Sequence, residues 1–314
     1  MEDNLQTEPL DSQVDDSVVL RTDKLTKVYG GKKVINEVSL SVKEGSIYGL
    51  IGKNGSGKTT LMRIITGLAP PTSGKVFLSE NYCSGKGRLN LSAVIEYPAF
   101  YPYMTAYQNL MSQQKVIGIR DKNLPNKLIS SVGLCGGIEK KKVKDYSLGM
   151  KQRLSIAEAS IGKPLIMLLD EPTNGLDPTG IKNMRERMLE LAKSGVTLIV
   201  SSHILGELWK VSTHYGVLNN GMLIDEFSKE ELLKKVRSCI RLRVNDVSKS
   251  IEILSTNLNI NDYKIDEKEI SIYDNVDISR INEELVKNDL IIESITSEHG
   301  DYEEYFIKLM GGNV

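Results

Sequence analysis

Residue types capable of phosphate chemistry are concentrated in one short segment, the phosphate loop, which consists of Gly52, Lys53, Asn54, Gly55, Ser56, Gly57, Lys58, Thr59 and Thr60. It follows an apolar run at 47–51, which predicts a buried strand, and precedes residues 61–65, whose spacing predicts a helix. Glycines allow successive backbone N–H groups to turn inward, and the helix N-terminus adds positive potential. Lys58 would reach the β- and γ-phosphates, and the Thr59 hydroxyl would ligate Mg²⁺. The order of strand, loop and helix therefore predicts a P-loop that binds a nucleoside triphosphate, rather than a chance glycine-rich turn.

A second chemical feature lies at the end of the apolar run 165–169, where Asp170 and Glu171 follow each other. Asp170 is placed to hold Mg²⁺, directly or through water, and Glu171 is the natural general base for an attacking water. Taken alone, an apolar strand that ends in two acids would indicate a structural ion pair. The phosphate loop, about 110 residues earlier, favours the catalytic interpretation.

Between these two features, the segment 146–153 reads Tyr-Ser-Leu-Gly-Met-Lys-Gln-Arg. It resembles the signature sequence Leu-Ser-Gly-Gly-Gln of the ATP-binding-cassette (ABC) ATPases, with Ser147 and Gly149 kept and with Leu148 and Met150 in place of a glycine and the glutamine. In that family the loop opens a helix and contacts the γ-phosphate bound to the opposite monomer. The Ser147 hydroxyl and the Gly149 N–H suit that task. By itself, the segment would be an ordinary helix cap at Ser147.

The resemblance covers roughly residues 18–230 and implies a fold. The class is α/β: a P-loop NTPase core of the ABC ATPase type, with a mostly parallel sheet, an antiparallel subdomain and a helical subdomain at about 99–161. Composition predicts three regions. Residues 1–17 hold six acids and no Lys or Arg, which predicts a disordered acidic arm. Residues 18–237 form the nucleotide-binding domain, and residues 238–314 form a small acidic α+β appendage.

Further positions match the family in the expected order. Tyr29 resembles the aromatic residue that stacks on adenine, and Val34 flanks the same base; a core position for Tyr29 is the alternative. His203 resembles the histidine that contacts the γ-phosphate and orients water, although a lone histidine at a strand end is ordinarily a surface residue. The family loop that pairs the two monomers, called the dimer loop here, is matched by Asn174, Gly175, Leu176 and Asp177.

One departure from the family is Glu96, which stands where the family usually has glutamine. We hypothesise that Glu96 contacts the metal or its water, because a carboxylate ligates Mg²⁺ more strongly than an amide. Together with the signature segment and the acidic C-terminal extension, Glu96 gives the chain a resemblance to one subgroup. That subgroup comprises the ATP-binding subunits of bacitracin-type and lantibiotic-immunity exporters.

Aromatic residues cluster directly after Glu96. Two prolines, Pro98 and Pro102, exclude a regular helical stripe there. Core packing of an irregular loop is one interpretation. The other is a groove that receives a short helix from a membrane partner, where tyrosine anchors are favoured. On that interpretation the coupling residues are Tyr97, Phe100, Tyr101 and Tyr103.

Net charge, cysteine content and hydropathy restrict the classes of function that the chain can have. The formal net charge is −1, yet residues 18–237 carry 32 basic and 19 acidic residues, which fits a surface near anionic lipid or a merely lysine-rich solvated surface. The three cysteines show no C-x-x-C pair, which argues against a disulfide framework or zinc site and predicts a reducing cytoplasm. Neither a signal peptide nor a bilayer-spanning run is present, so another subunit would cross the membrane.

The resemblance implies an ATP- and Mg²⁺-dependent ATP hydrolase that pairs with a second copy of itself and with integral-membrane permease subunits at the cytoplasmic face of the membrane. The expected activity is export of a peptide antibiotic or similar amphipathic substrate, without a nucleic-acid partner. One alternative is an ABC ATPase that acts on nucleic acid or the ribosome. Another is a regulatory module that binds ATP but does not pump. A P-loop kinase or GTPase is disfavoured, because the chain shows no guanine-specific Asn-Lys-x-Asp sequence.

Overall fold

The structure, a computed structural model, describes residues 7–9, 17–79, 83–84, 88–96, 99–236, 238–266, 269–274, 276–298 and 302–311. The chain divides into two compact units, Met1–Lys229 and Glu230–Val314. This division lies a few residues before the boundary that the change in composition predicts.

The strands of the first unit are β1 (Thr7–Pro9), β2 (Val18–Tyr29), β3 (Lys32–Val38), β4 (Ser41–Lys43), β5 (Ile47–Ile51), β6 (Ser73–Leu78), β7 (Cys83–Ser84), β8 (Arg88–Leu89), β9 (Leu91–Val94), β10 (Ile166–Asp170), β11 (Thr197–Ser202), β12 (His214–Asn219) and β13 (Met222–Ser228). Its helices are α1 (Lys58–Ile65), α2 (Ala106–Ile117), α3 (Leu124–Ser131), α4 (Leu148–Ala159), α5 (Pro178–Lys193) and α6 (Leu205–Trp209).

The central sheet has the strand order β13-β12-β5-β11-β10-β9. All neighbours in it are parallel except the closing hairpin of β12 and β13. Strands β5, β10 and β11 are buried along their whole length, which explains their continuous apolar sequences. Because parallel strands end at the same edge, the residues that follow β5, β10 and β11 meet there. This edge carries the candidate site.

Strand β5, which leads into the phosphate loop, is fixed from one side by Tyr48. Its hydroxyl donates a hydrogen bond to Glu226 Oε1 of β13 at 2.7 Å, and the Ser41 N–H donates to the same oxygen at 3.1 Å. Burial raises the pKa of Tyr48 and, more modestly, the pKa of Glu226. The pair therefore anchors the β12–β13 hairpin to the strand that positions the phosphate loop.

A second sheet of order β1-β6-β2-β3, with β4 paired to β2, packs beside the central sheet. It is antiparallel except for the pair of β1 and β6. Thr7–Pro9 pair in parallel with β6, so at these three residues the prediction of a disordered arm is wrong. The physical reason is that the edge of β6 offers backbone groups that a passing segment can pair with. Residues 1–6 and 10–16 lie outside the described residues.

Helices α2, α3 and α4 lie between β9 and β10, within the range where the sequence predicts helices. Helix α2 starts with a capping box formed by Thr105 and Gln108 and ends at Gly118, which adopts a φ of 84°. Short 3₁₀ turns at Ile138–Lys140 and Val143–Asp145 precede α4.

Helix α7 (Lys229–Lys235) leads into the second unit, whose elements are β14 (Cys239–Val244), α8 (Val247–Leu258), β15 (Tyr263–Asp266), β16 (Glu269–Ile272), α9 (Ile278–Lys287), β17 (Ile292–Glu298) and α10 (Tyr302–Leu309). The strands form an antiparallel sheet of order β15-β16-β14-β17. Leu242 of β14, Leu254 of α8 and Leu285 of α9 are among the residues of its core. The unit is α+β, as its sequence predicts. Within the described ranges of the whole chain, no helix combines the length and the apolarity that a bilayer crossing needs.

Candidate active site

The phosphate loop connects β5 to α1, as predicted from its sequence. Gly57 adopts a φ of 108° directly before Lys58, the first residue of the helix. At Gly52, an added Cβ would lie 2.4 Å from the Leu218 carbonyl oxygen and 2.4 Å from Ser56 Oγ. The loop therefore needs glycine at position 52 to pack against β12 and at position 57 for its backbone conformation.

The loop is also held by the turn between β12 and β13. The Gly221 N–H donates to the Ser56 carbonyl at 2.9 Å, and the Asn36 N–H donates to the Gly221 carbonyl at 2.8 Å. The Val34 carbonyl lies next to Gly221 and Gly57, where added Cβ atoms would approach it to 2.4 and 2.9 Å. The structure thus places Val34 beside the phosphate loop, and its contact with the adenine base stays a prediction.

Lys58 is buried with its ammonium group turned toward the loop. Its Nζ donates to the Gly52 carbonyl at 2.8 Å and to the Lys53 carbonyl at 3.4 Å, and lies 3.2 Å from Glu171 Oε1. No described group forms a well-directed hydrogen bond to Glu171 Oε1, so the contact with Lys58 is electrostatic. The cation therefore links the phosphate loop to the first residue after β10.

Asp170 ends β10 between two hydroxyl groups. Thr59 Oγ1 donates to Asp170 Oδ2 at 2.7 Å, and Ser201 Oγ of β11 donates to Asp170 Oδ1 at 2.5 Å. The described residues form no cluster of three or more His, Cys, Asp or Glu side chains that could hold a metal by themselves. One carboxylate and one hydroxyl are the oxygen donors that Mg²⁺ uses when phosphates supply the rest of its shell. The donors present fit Mg²⁺.

Glu171 lies next to His203. His203 Nδ1 is 2.7 Å from Glu171 Oε2, and the His203 N–H is 3.4 Å from the same oxygen. The Glu171 N–H donates to Ser201 Oγ at 2.9 Å. Glu171 has a φ of 49°, a conformation that costs a non-glycine residue about 1 kcal/mol or more. Its carboxylate is therefore held in one orientation between Lys58 and His203.

The signature segment and the dimer loop contact each other within one chain. Ser147 caps α4 by accepting a hydrogen bond from the Met150 N–H at 3.3 Å, and Asp177 caps α5 in the same way. Gln152 Nε2 donates to the Asn174 carbonyl at 3.3 Å. A Cβ on Gly149 would lie 3.2 Å from Leu176 Cδ2. The two loops are therefore packed together, next to the Glu171 that precedes the dimer loop in sequence.

Glu96 follows β9 and adopts a φ of 61°. Because Val94 of β9 pairs with Leu169 of β10, Glu96 leaves the sheet at the same edge as Asp170. Its Oε1 lies 2.8 Å from Arg63 Nη2, and its side chain is 53 % exposed. Sequence analysis did not foresee the partner Arg63, and the metal role of Glu96 stays a prediction.

The predicted aromatic positions differ in exposure. Tyr29 ends β2 with 48 % of its side chain exposed and lies 5.0 Å from Lys27 Nζ, measured to the ring centroid. Tyr101 and Tyr103 are 59 % and 72 % exposed, whereas Phe100 is half-buried. The backbone of Tyr101 is bonded in both directions by the Asn109 side chain of α2. Tyr97 lies outside the described residues.

Comparison with known proteins decides the family. A family model described as ABC transporter matches residues 35–174. The bacitracin transport ATP-binding protein BcrA of Bacillus licheniformis is 38% identical over 302 residues, which cover 94% of this chain and 98% of that protein. The chain belongs to the ABC transporter family.

Other members of the ABC family agree with this assignment. The lantibiotic transport ATP-binding protein SrtF of Streptococcus pyogenes is 40% identical over 209 residues, covering 66% of this chain and 90% of SrtF. Among solved structures, the ADP conformation of MJ1267, an ATP-binding cassette of an ABC transporter, is similar with a TM-score of 0.60 at 26% identity. That likeness covers 70% of this chain and 94% of MJ1267. The predicted fold class is confirmed, and the chain is an ATP-binding ATP hydrolase of the ABC type.

Sequence reasoning missed Ser201, which bonds both Asp170 and the backbone of Glu171 in this ABC ATPase. A usable signal existed. Ser201 ends the neighbouring apolar run, and the register pairs it with Asp170 across the sheet.

Proposed function

We propose that this ABC subunit powers the export of a peptide antibiotic or a similar amphipathic substrate and so protects its host cell. The observation that carries the proposal is the extent of the match to a bacitracin transport ATP-binding protein, which includes 94% of this chain and 98% of that protein. The match therefore extends through the α+β unit after residue 237, which the phosphate chemistry does not require. Members of the family that share only the ATPase core would not produce this pattern.

The assembly that we propose is a dimer of this chain bound to integral-membrane permease subunits at the cytoplasmic face of the membrane. Ser147 and Gly149 pack beside the dimer loop, at the surface that a second copy would meet. Each ATP would then lie between one copy's Lys58 and the other copy's Ser147. Tyr101 and Tyr103, both exposed, would contribute to the surface that binds the permease.

The chemistry follows from groups already close to one another. Thr59 and Asp170 would hold a Mg²⁺ ion, which when bound neutralises charge on the β- and γ-phosphates. Lys58 adds a buried positive charge at the same loop. Glu171 accepts the proton of the attacking water, and His203 holds the Glu171 carboxylate in the orientation for that transfer.

The test is made in the source cells, so that the native permease is present. The gene is deleted and replaced with the wild-type gene, with Glu171→Gln or, as a matched surface control, with Glu186→Gln, whose carboxylate is exposed. We expect deletion to increase susceptibility to bacitracin or a lantibiotic, and only wild type and Glu186→Gln to restore resistance. Equal protection by Glu171→Gln, or unchanged susceptibility after deletion, would contradict the proposal.

A second measurement tests the dimer. Purified Glu171→Gln chain should bind ATP but hydrolyse it at least about a hundredfold more slowly than wild type. Analytical ultracentrifugation with saturating ATP and Mg²⁺ should then show twice the monomer mass. A monomer under those conditions, both in solution and with the membrane complex, argues against a shared pocket.

A further inference from the structure

The sheet of the second unit ends at strand β15 (Tyr263–Asp266), which pairs with β16 and with no other strand in the described ranges. All four residues of β15 are exposed. Tyr263 and Ile265 are 37 % and 46 % exposed, and the register places them opposite the buried Ile272 and Ile270 of β16. The apolar face of the sheet therefore continues to its open edge. An open edge with exposed apolar side chains is a surface on which another strand can pair.

The backbone of β15 shows which residues face this edge. The Asp262 carbonyl accepts a hydrogen bond from the Tyr273 N–H of the neighbouring chain segment at 2.8 Å. Backbone groups of successive residues point alternately to the two sides of a strand. Tyr263 and Ile265 therefore direct their N–H and carbonyl groups away from β16, toward the open edge.

The opposite face of β15 carries one positive and one negative side chain. Among the described residues, neither Lys264 nor Asp266 makes an ion pair or a side-chain hydrogen bond. Asp266 lies opposite Glu269 of β16, and a like charge in that position is unfavourable. The two nearby cations are directed to Glu269: Arg241 lies 3.0 Å and Arg243 lies 3.3 Å from its carboxylate. Asp266 thus lacks a cation from its own sheet.

We propose that β15 pairs in antiparallel fashion with β15 of a second copy, in the register centred on Ile265. The two Ile265 residues then exchange both backbone hydrogen bonds, and their side chains meet on the apolar face. On the other face, Lys264 of each copy lies opposite Asp266 of the other, at positions where side chains come close. The edge is therefore complementary in charge to itself. This contact goes beyond the proposed function, because it lies in the second unit and requires no ATP.

The backbone alternation allows only one other centre within the strand, Tyr263. That register would place Asn261 of one copy opposite Ile265 of the other and would need the Asn261 N–H. This N–H already donates to Asp274 Oδ2 at 2.8 Å. The register centred on Ile265 is therefore favoured. It brings together few residues from each copy, so we expect the contact to be weak in solution by itself.

The test uses the full-length chain without nucleotide, so that an ATP-dependent contact does not contribute. All variants carry Ile265→Cys, and a short reagent that bridges two thiols traps the dimer at a series of protein concentrations. Ile291→Cys is the matched control, because Ile291 is an exposed residue of the same unit outside β15. Wild type shows how much dimer arises from the three native cysteines. We expect Ile265→Cys to give more trapped dimer than either control.

Two charge variants then test the register. Lys264→Glu would place acids opposite each other, and Asp266→Lys would place lysines opposite each other. Each variant alone should therefore give at least about fourfold less trapped dimer than Ile265→Cys without a charge change. A mixture of the two restores both opposite-charge pairs, so a mixed dimer should form as readily as that of the parent. A larger purification tag on one chain distinguishes the mixed dimer by its mass.

Three results would overturn the proposal: no more dimer from Ile265→Cys than from Ile291→Cys, equal dimer from all charge variants, or a mixture that forms no more dimer than its components. Thermal melting of each variant shows whether the loss of dimer comes from unfolding, and the mixture provides the same check, since unfolded chains would not recover. None of these results bears on the resistance assay or on the ATP-dependent dimer of Glu171→Gln, so the proposed function is tested separately.

Discussion

A Cβ atom placed on Gly175 would lie 2.8 Å from Leu148 Cδ2, so the leucine that departs from the family signature packs directly on the backbone of the dimer loop. Gly175 also adopts a φ of 73°, which a side chain tolerates poorly. The contact joins a residue next to Ser147, which would meet the partner's nucleotide, to a loop that starts three residues after Glu171. Within each copy, Leu148 therefore connects the signature segment, which would contact the partner's ATP, to the dimer loop, which follows the copy's own Glu171.

The first prediction concerns this contact. Gly175→Ala should lower the free energy of unfolding by roughly 1–3 kcal/mol and reduce ATPase activity, because it combines backbone strain with a steric clash. Gly136→Ala is the matched control: its φ is 77°, but no atom lies within 4 Å of the added Cβ. Adding Leu148→Ala to Gly175→Ala should recover the part of the loss that comes from the clash. Chemical denaturation and ATPase assays measure both effects, and equal losses at positions 175 and 136 would exclude a role for Leu148.

The second prediction concerns Ser201. Ser201→Ala removes the hydroxyl that donates to Asp170 and accepts from the Glu171 N–H. We expect the ATPase rate to fall by about tenfold to a hundredfold and the Mg²⁺ concentration for half-maximal activity to rise, because a buried carboxylate loses a partner. A titration of activity against Mg²⁺ gives both values. Ser194→Ala removes a hydroxyl at the end of α5 and should change neither; an unaltered Mg²⁺ titration for Ser201→Ala would refute the prediction.

The third prediction concerns Glu96 and Arg63. Arg63 lies 2.8 Å from Glu96 Oε1, so its positive charge competes with a metal for the Glu96 carboxylate. If Glu96 contributes to the Mg²⁺ site, Glu96→Gln should raise the Mg²⁺ concentration for half-maximal ATPase activity and Arg63→Ala should lower it. The double variant should behave like Glu96→Gln. Identical Mg²⁺ titrations for wild type and Glu96→Gln would show that the Glu96 carboxylate forms only a surface ion pair. Such a pair contributes about 0–1 kcal/mol to stability.

The fourth prediction concerns stability and pH. The pKa of Glu158 is raised in the folded state from 4.5 to about 7, so the folded state holds a proton that the unfolded state releases in this interval. The free energy of unfolding contributed by Glu158 therefore falls as pH rises from 4.5 to about 7 and stays low above it. Glu158→Gln should be more stable than wild type at pH 8 by roughly 1–2 kcal/mol, allowing for partial exposure. Near pH 4.5, wild type and Glu158→Gln should have the same melting temperature.

Thermal melting at a series of pH values measures this difference. Glu186→Gln, whose carboxylate is exposed, serves as the control and should follow wild type at every pH. A constant gap between Glu158→Gln and wild type from pH 4.5 to 8 would show that the gain comes from packing rather than from protonation.

Much of the site was predictable because its chemistry lies in consecutive residues. The bounds of β5, β14 and α9 also follow from sequence, since apolar periodicity is unbroken there. Strand β2 was harder. It runs to Tyr29, whereas the apolar pattern predicts only Val18–Leu20, because Lys24 at a φ of 43° shifts the alternation of the strand.

Contacts that depend on register across the sheet could not be predicted from one sequence. Ser201 meets Asp170 only because β10 and β11 pair as they do, 31 residues apart in the chain. The Arg63–Glu96 pair and the Leu148–Gly175 contact also join segments that are distant in the chain. No local sequence pattern indicates either contact. The positive φ of Glu171 is set by its tertiary contacts and not by its residue type.

The turn between β12 and β13 has a practical consequence for anyone who labels this protein. Short Asn-Gly turns on the surface are ordinarily good places to insert an epitope tag or a fluorescent reporter. Here Gly221 bridges strand β3 and the phosphate loop through its own N–H and carbonyl. We expect a reporter inserted next to Gly221 to disturb the phosphate loop and lower ATPase activity. Gly136 is the better place, because it is exposed and no atom lies within 4 Å of an added Cβ there.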